Sequence, residues 1–505
     1  MSDSHALSES DAASAEGRLK PNSVGLGGAL AISIGVISPT IGVIFISGLV
    51  IAHAGASAPF AFLVTTLAAV ALGWTLWQFV IRIPSAGSFY PFITAGLGKS
   101  VGFVAGWQLI LAYGILGPAN AALFGGFVQP LVQANTGVNI PWEVYGLALV
   151  AIVAVMAWLS IHTSMNFTLM FVAAELTILS VLLVTVLAKG GAGGQVPLAF
   201  TPRLATGGLP AIGISVAYVV LAVEGFESCT FLAEEVRRPR KVLPIALLGS
   251  IIFCGLFLAF ALYAVVVGYG ANHLADAQSA SSPLTPLATH YVGHWYVSLI
   301  DIAAISAVFG VNVAASNLVY RMIFAMGRDG VLLPKAIGRT GTRQTPYVAI
   351  IVYTIVVAIL VLIGGWLYGP GLSTYGSFGY LAGLTVIPIY LTVALALPFF
   401  MYRKHRDEFN VVKHAVIPLV GFCVYLGPLI TSLRPFPPAP LGPLAFVALG
   451  WLVVGILGMV WLRSRDPGRL ERVGRAVFVD SAGDQPAAAR TGTAAGQNPA
   501  ISEGD

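Results

Sequence analysis

An apolar stretch from Gly213 to Leu243 reads GISVAYVVLAVEGFESCTFLAEEVRRPRKVL and sets Glu224, Gly225, Phe226 and Glu227 side by side near its middle. A third carboxylate, Glu175, stands alone in NFTLMFVAAELTILSV. Carboxylates in such surroundings have two chemistries open to them. They hold a cation or an ammonium group, or, shielded from water, they take up and release a proton. A charged side chain at bilayer depth costs at least ~2.5 kcal/mol, so it faces a cavity or a partner rather than lipid. Glu175, Glu224 and Glu227 are therefore the proton-coupling candidates. Glu175 and Glu224 also have a structural reading, as acceptors or protonated groups that steady the local backbone.

A second stretch, GGALAISIGVISPTIGVIFISGLVIA, carries Pro39 directly after Ser38, with glycines at 35 and 42. Proline lacks a backbone N–H and its ring clashes with the preceding turn. This predicts a break from Ser38 through Pro39, Thr40 and Ile41 to Gly42, against the plainer alternative of a kink in a packed helix. Gly225, between two glutamates, predicts a matching break. Unwound backbone presents free N–H and C=O groups, and half-helix ends add partial charge, so paired breaks near a membrane midplane can hold an ionic solute. The expected substrate site is then Ser38, Pro39, Thr40, Ile41 and Gly42 with Glu224, Gly225, Phe226, Glu227 and Ser228.

The elements that must position these residues are membrane helices. The chain of 505 residues is 57% hydrophobic and 9% charged, with mean hydropathy +0.87, far from the roughly 25% charged content of soluble domains. Hydropathy gives an all-α integral membrane protein of twelve spans, at 26–51, 58–81, 101–132, 143–161, 164–188, 209–233, 243–269, 295–324, 346–368, 376–401, 413–433 and 441–463. With the N-terminus inside, 23 of the 26 Lys and Arg fall in cytoplasmic segments, leaving Lys189, Arg203 and Arg434 outside. This bias predicts a multi-pass protein of the cell membrane with both termini cytoplasmic, and it accounts for the net charge of +5 without nucleic acid. The expected partners are the lipid bilayer and a small-molecule substrate. Residues 1–25 form an N-terminal tail, 26–463 the membrane domain, and 464–505, poor in large apolar residues, a disordered tail. Two broken helices five spans apart are what an inverted repeat produces, with spans one to five mirrored by six to ten and two helices added.

Four motifs carry a more specific resemblance. Pro84, Ala86, Gly87 and Tyr90 in PSAGSFY precede Gly102 and Gly106-Trp107. Gly225-Phe226-Glu227 precedes Glu234-Glu235, Pro239 and Pro244. Arg321 precedes Arg328-Asp329-Gly330 and Pro334, and Thr345-Pro346 follows. In this order the chain resembles the amino acid, polyamine and organocation permease superfamily over residues 25 to 435. The resemblance implies two inverted five-helix repeats plus two helices, and alternating-access transport of amino acids or amines. It also marks two departures. Many relatives break span one at a Gly-Ser-Gly type sequence whose N–H groups hold the substrate carboxylate, whereas Pro39 offers none here. Some proton-coupled relatives carry a lysine in span five, and this chain has no lysine in its core before Lys189.

The remaining candidates keep open alternatives. Asp301 is an outer-vestibule group or a helix-start residue near water. Glu234, Glu235, Arg237 and Arg238 form a cytoplasmic gate or a solvated helix end. Asn312, Asn317 and Tyr113 read as helix-packing polar groups, and Phe226 and Tyr218 as a gate or as packing. Ser306 and Ser316 lack the adjacent hydroxyl pair that a sodium site wants, so H+ is the expected coupling ion with Na+ left open. Cys229, Cys254 and Cys423 show no paired spacing, and no metal or cofactor is expected. The absence of paired His, Asp-rich clusters or a nucleophile beside a base argues against a membrane enzyme. A polyamine or organic-cation transporter, an exchanger, and a non-transporting nutrient sensor remain as alternatives.

Overall fold

A computed structural model describes residues 22–83, 87–159, 161–279, 282–341, 345–434, 436–470 and 473. Pro84 and Ala86 of the second-span motif, the tail before Asn22 and all but Val473 of the chain beyond Leu470 lie outside the described residues. The helices are α1 (Leu26–Ile37), α2 (Pro39–Ile41), α3 (Ser47–Ala54), α4 (Ala58–Val80), α5 (Phe89–Leu97), α6 (Lys99–Gly114), α7 (Leu116–Thr136), α8 (Trp142–Leu159) and α9 (Ile161–Ala188). There follow α10 (Gly208–Val223), α11 (Pro239–Tyr269), α12 (Leu274–Ser279), α13 (Leu284–Tyr291), α14 (Trp295–Asp329), α15 (Tyr347–Tyr368), α16 (Leu372–Lys404), α17 (Ile417–Leu433), α18 (Leu441–Arg465) and α19 (Pro467–Leu470). Among the described residues the only β pairing is an isolated bridge between Val24 and Val236.

Helix occupies each of the twelve expected stretches, and ten segments among the described residues are long and apolar enough to cross a membrane. Two expected spans do not separate on that measure. Leu26–Val80 runs as one helical segment through the first two, and α10 stops at Val223 instead of continuing to residue 233. The third expected span is two helices that meet at Ile115. Pro118 explains the joint, since it cannot donate to the carbonyl four residues back and its ring crowds that turn.

Both expected breaks are present. Ser38 adopts φ 45° and ψ 82°, and its N–H still closes the last turn of α1 on the Ile34 carbonyl at 2.9 Å. Pro39 then opens α2, where its fixed φ suits a first helical position. A π-helical turn, Gly42–Ile46, carries the chain into α3. In the sixth span α10 ends at Val223, Glu224 is extended with ψ 142°, and Gly225 takes φ 101°, a left-handed conformation that glycine adopts without a Cβ penalty. The 3-10 turn Phe226–Leu232 follows.

The two breaks lie at the centre of the bundle, walled by close helix pairs. α4 packs along α11. A Cβ on Gly73 would come within 2.5 Å of Ile251, and one on Gly255 within 2.2 Å of the Thr66 hydroxyl. Small residues at the contact let these backbones approach, as membrane helices without a hydrophobic drive to associate require.

The ends of the bundle depart from the expected boundaries. Val24, inside the expected N-terminal tail, is buried in the bridge to Val236. At the other terminus α18 runs to Arg465, and α19 buries Leu470 against the bundle with Val473 beyond it. The expected disordered tail therefore does not begin at residue 464.

Candidate functional site

Ser33 sews the two breaks together. Its hydroxyl donates to the Phe226 carbonyl at 2.8 Å and accepts from the Cys229 N–H at 3.1 Å, so one α1 side chain satisfies two backbone groups of the sixth-span turn. Gly225 lies so close to α1 that a Cβ there would stand 2.3 Å from Val36 Cγ1. The structure therefore brings the two halves of the expected site into direct contact.

The ten expected site residues divide by what their polar groups do. Ser38 Oγ accepts from the Ile41 N–H at 3.4 Å, a local cap. Ser228 Oγ donates to the Gly225 carbonyl at 2.5 Å. Phe226 is fully buried, its ring 5.9 Å from that of Tyr390, and its carbonyl is taken by Ser33. Pro39, Ile41, Gly42 and Gly225 contribute shape. Three residues of the set keep a buried side-chain oxygen with no hydrogen-bond partner among the described residues: Thr40 through Oγ1, Glu224 through Oε1 and Glu227 through Oε2, the last on a carboxylate whose other oxygen is doubly bonded. Beside them Ile41, Leu123, Ala307, Val308 and Val311 make an apolar wall, edged by Phe45, Phe124 and Tyr375. Tyr375 also stands near the Glu224 carboxylate. A carboxylate with an unsatisfied oxygen near an apolar wall suits a solute with a cationic head and an apolar body.

Glu227 is different. Tyr113 and Tyr390 both donate to its Oε1, the latter at 3.1 Å, from α6 and α16. Tyr113 is thus not a helix-packing group, as its sequence context suggested, but half of a clamp on Glu227. Its partner Tyr390 went unnoticed in sequence because an aromatic in a membrane helix carries no local signal of its role.

Glu175 accepts from Ser306 of α14 at 3.0 Å, and Thr40 lies beside the same carboxylate. The geometry matches the structural-acceptor reading and places the group against both the span-one break and α14. Ser316 donates to Asn312 Oδ1 at 3.2 Å. Asn312 donates to the Gly117 carbonyl and Asn317 to that of Val313, in keeping with helix packing.

At the end of the bundle that carries the basic loops, the segment after the sixth-span break is locked to α14. Arg321 forms a two-pronged pair with Glu235, and both side chains are almost fully buried. Arg328 forks onto Glu234 with contacts of 2.9 and 2.7 Å. Tyr90 donates to Asp329 at 2.9 Å. Val24 exchanges backbone hydrogen bonds with Glu235 and Arg237, and Arg237 also holds the Asn22 carbonyl. The glutamates thus belong to an ion-pair network whose cations are Arg321 and Arg328. Arg237 and Arg238, expected as partners, are exposed, because the chain turns outward after Val236.

At the opposite end a half-enclosed cavity of about 230 Å³ is lined by residues including Phe45, Leu123, Phe127, Ser282, Thr285 and Asp301. Asp301, seven residues into α14, is one of the residues lining this cavity. Tyr218 stacks on His53 at 5.4 Å, outside this cavity's lining.

Residues 28–459 match the amino acid permease family. Over 464 residues the chain is 25% identical to the branched-chain amino acid permease BcaP of Bacillus subtilis (strain 168), covering 87% of this chain and 92% of that protein. It is 27% identical over 423 residues to the methylthioribose transporter of the same organism, covering 78% and 85%. It is also 28% identical over 367 residues to the vacuolar cationic amino acid transporter 2 of Arabidopsis thaliana, covering 68% of this chain and 55% of the plant protein.

Proposed function

The chain belongs to the amino acid permease family and is a multi-pass membrane transporter rather than an enzyme, and on that premise we propose that it moves an amino acid, or a related amine, by proton-coupled alternating access. The observation that carries the solute reading is the Glu224 carboxylate. It sits in a backbone break with a buried oxygen that no described group satisfies, and Tyr375, at the edge of the apolar wall, stands near it. An ammonium group would supply the missing charge and donors, and the wall would take an aliphatic side chain. The names of the relatives, covering branched-chain and cationic amino acids, agree with both halves of that chemistry. Pro39 withholds one N–H from a substrate carboxylate, so the amine end of the solute carries more of the recognition.

Alternating access requires two repeats that can rock against each other. Counting Leu26–Val80 as two crossings and the broken α10 segment as one turns ten apolar segments into twelve. The helix packing supports an inverted-repeat reading. The fifth and eighth spans, α9 and α14, pack together, and so do their proposed counterparts, α16 and α7. Likewise α1 packs on α11 and α10 on α4. The short helix α5 after the second span and the pair α12 and α13 after the seventh fall at opposite ends, as inversion demands. Positive-inside orientation assigns the basic end, with Arg321 and Arg328, to the cytoplasm of a cell membrane. The network there is the closed inner gate, and the cavity at Asp301 opens outward.

A cationic solute such as a polyamine is the second reading, favoured by the same unpaired Glu224. Proteoliposomes containing the purified protein test the proposal with labelled L-leucine, L-lysine and putrescine. Uptake of one probe, accelerated by an imposed inside-alkaline gradient, is the expected result. Accelerated counterflow without a gradient response would mark an exchanger, and binding without uptake or counterflow would mark a sensor.

A further inference from the structure

We infer that the cavity around Asp301 is a first binding site for the ammonium group of the solute, occupied from outside before the central site. The inference rests on the transporter reading above and adds a site to it. Asp301 is the one ionisable side chain among the residues lining the cavity, and it accepts no hydrogen bond from another described residue. Ser282 Oγ, also in the lining, is buried without a partner among the described residues. With the Thr285 hydroxyl, the cavity offers a carboxylate and two hydroxyl acceptors, a set matched to the three N–H donors of a primary ammonium. A lone carboxylate in a concave, partly apolar setting concentrates field lines and raises the local concentration of cations.

The cavity also leads to the right place. Leu123 and Phe45 form part of its lining and, on their other side, part of the apolar wall of the central site. Along α14 the residues Asp301, Ala304, Val308 and Val311 recur at helical spacing. The first two line the cavity and the last two the central wall. A solute bound at Asp301 is therefore one helical stripe from the apolar wall that also holds Ile41 of the span-one break, with Phe45 and Phe127, edge to face at 5.7 Å, beside that path. Two carboxylates at the two ends of one apolar path divide the work between capture at Asp301 and holding at Glu224.

The test uses the full-length protein with Cys423→Ser, since Cys229 and Cys254 are buried, and Leu372→Cys, at the cavity's exposed edge, as the reporter. A cationic methanethiosulfonate reagent should modify that cysteine about tenfold faster than an anionic one of similar size. Adding Asp301→Asn should erase the preference. Millimolar L-lysine should slow modification when Asp301 is present and not in the Asn variant. In proteoliposomes Asp301→Asn should raise KM for the transported probe with kcat kept, and Asp301→Glu should restore KM. Equal rates for the two reagents, a cationic preference that survives Asp301→Asn, or a loss of kcat with KM unchanged would each overturn the inference. If the wild-type protein moves no probe while the reagent preference and lysine protection hold, the cavity site stands and the transport reading falls.

Discussion

Arg321 on α14 and Glu235, eight residues beyond Glu227, form an ion pair whose side chains are 5% and 4% exposed. The pair ties the half of the sixth span that follows the break to a long, continuous helix, and Arg321 is itself braced by the carbonyl and side chain of Asn317 at 2.9 and 3.1 Å. Removing one partner of such a pair leaves a buried charge and costs about 3–5 kcal/mol, much of it desolvation. Glu235→Gln is therefore expected to lower the thermal unfolding midpoint and to open the basic end. Labelling of a cysteine introduced at Val24, which hydrogen-bonds to Glu235, reads that opening. A combined Glu235→Gln and Arg321→Met variant should be more stable than Glu235→Gln alone. If the double variant is less stable, the arginine has other duties that outweigh the pair.

Tyr113 and Tyr390 converge on one oxygen of Glu227 from two different helices. Losing either donor in this buried place costs about 1–3 kcal/mol. Because both act on one carboxylate, the effects of Tyr113→Phe and Tyr390→Phe should not add. Thermal melts of the two single variants and the double variant measure the coupling. Strict additivity would show that the tyrosines are held independently of Glu227 and that the clamp has no mechanical unity.

What was legible in sequence, and what was not, follows from how far each signal reaches along the chain. Pro39 and Gly225 act on their own backbone, so both breaks could be read locally, and the apolar runs located the helices for the same reason. The Ser33 bridge to Phe226 and Cys229 spans nearly two hundred residues and depends on two breaks meeting in space, which no local pattern encodes. Tyr390 is likewise one of several aromatics in α16 until the fold presents it to Glu227. Glu234 and Glu235 are visible in sequence beside Arg237 and Arg238, but the fold supplies their cations, Arg321 and Arg328, from α14. Charge next door in sequence is a poor guide to partners once a chain turns outward.

Gly225 should resist any substitution. Alanine at φ 101° is strained by about 1–3 kcal/mol, and its Cβ would meet Val36 Cγ1 at 2.3 Å. Gly225→Ala is expected to abolish uptake and lower stability. Adding Val36→Ala relieves the clash but not the backbone strain, so stability should recover in part. Full recovery in the double variant would show that contact, and not conformation, selects glycine here.

Glu175 separates a structural acceptor from a coupling group, because glutamine can replace one role and not the other. The Ser306 hydroxyl donates to Oε1 at 3.0 Å, and a glutamine carbonyl can accept the same bond, so Glu175→Gln should keep the stability of the wild-type protein. Glutamine cannot carry a proton. If Glu175 is the coupling group, the variant should still exchange labelled for unlabelled substrate across the membrane at zero gradient, while net uptake no longer responds to an imposed pH gradient. Glu224→Gln, which removes charge from the proposed ammonium site, should instead weaken substrate affinity in both assays. Measuring exchange and gradient-driven uptake for the two variants side by side assigns each carboxylate. Gradient response intact in Glu175→Gln, with stability unchanged, would leave this side chain as an acceptor for Ser306 and move proton coupling to another group.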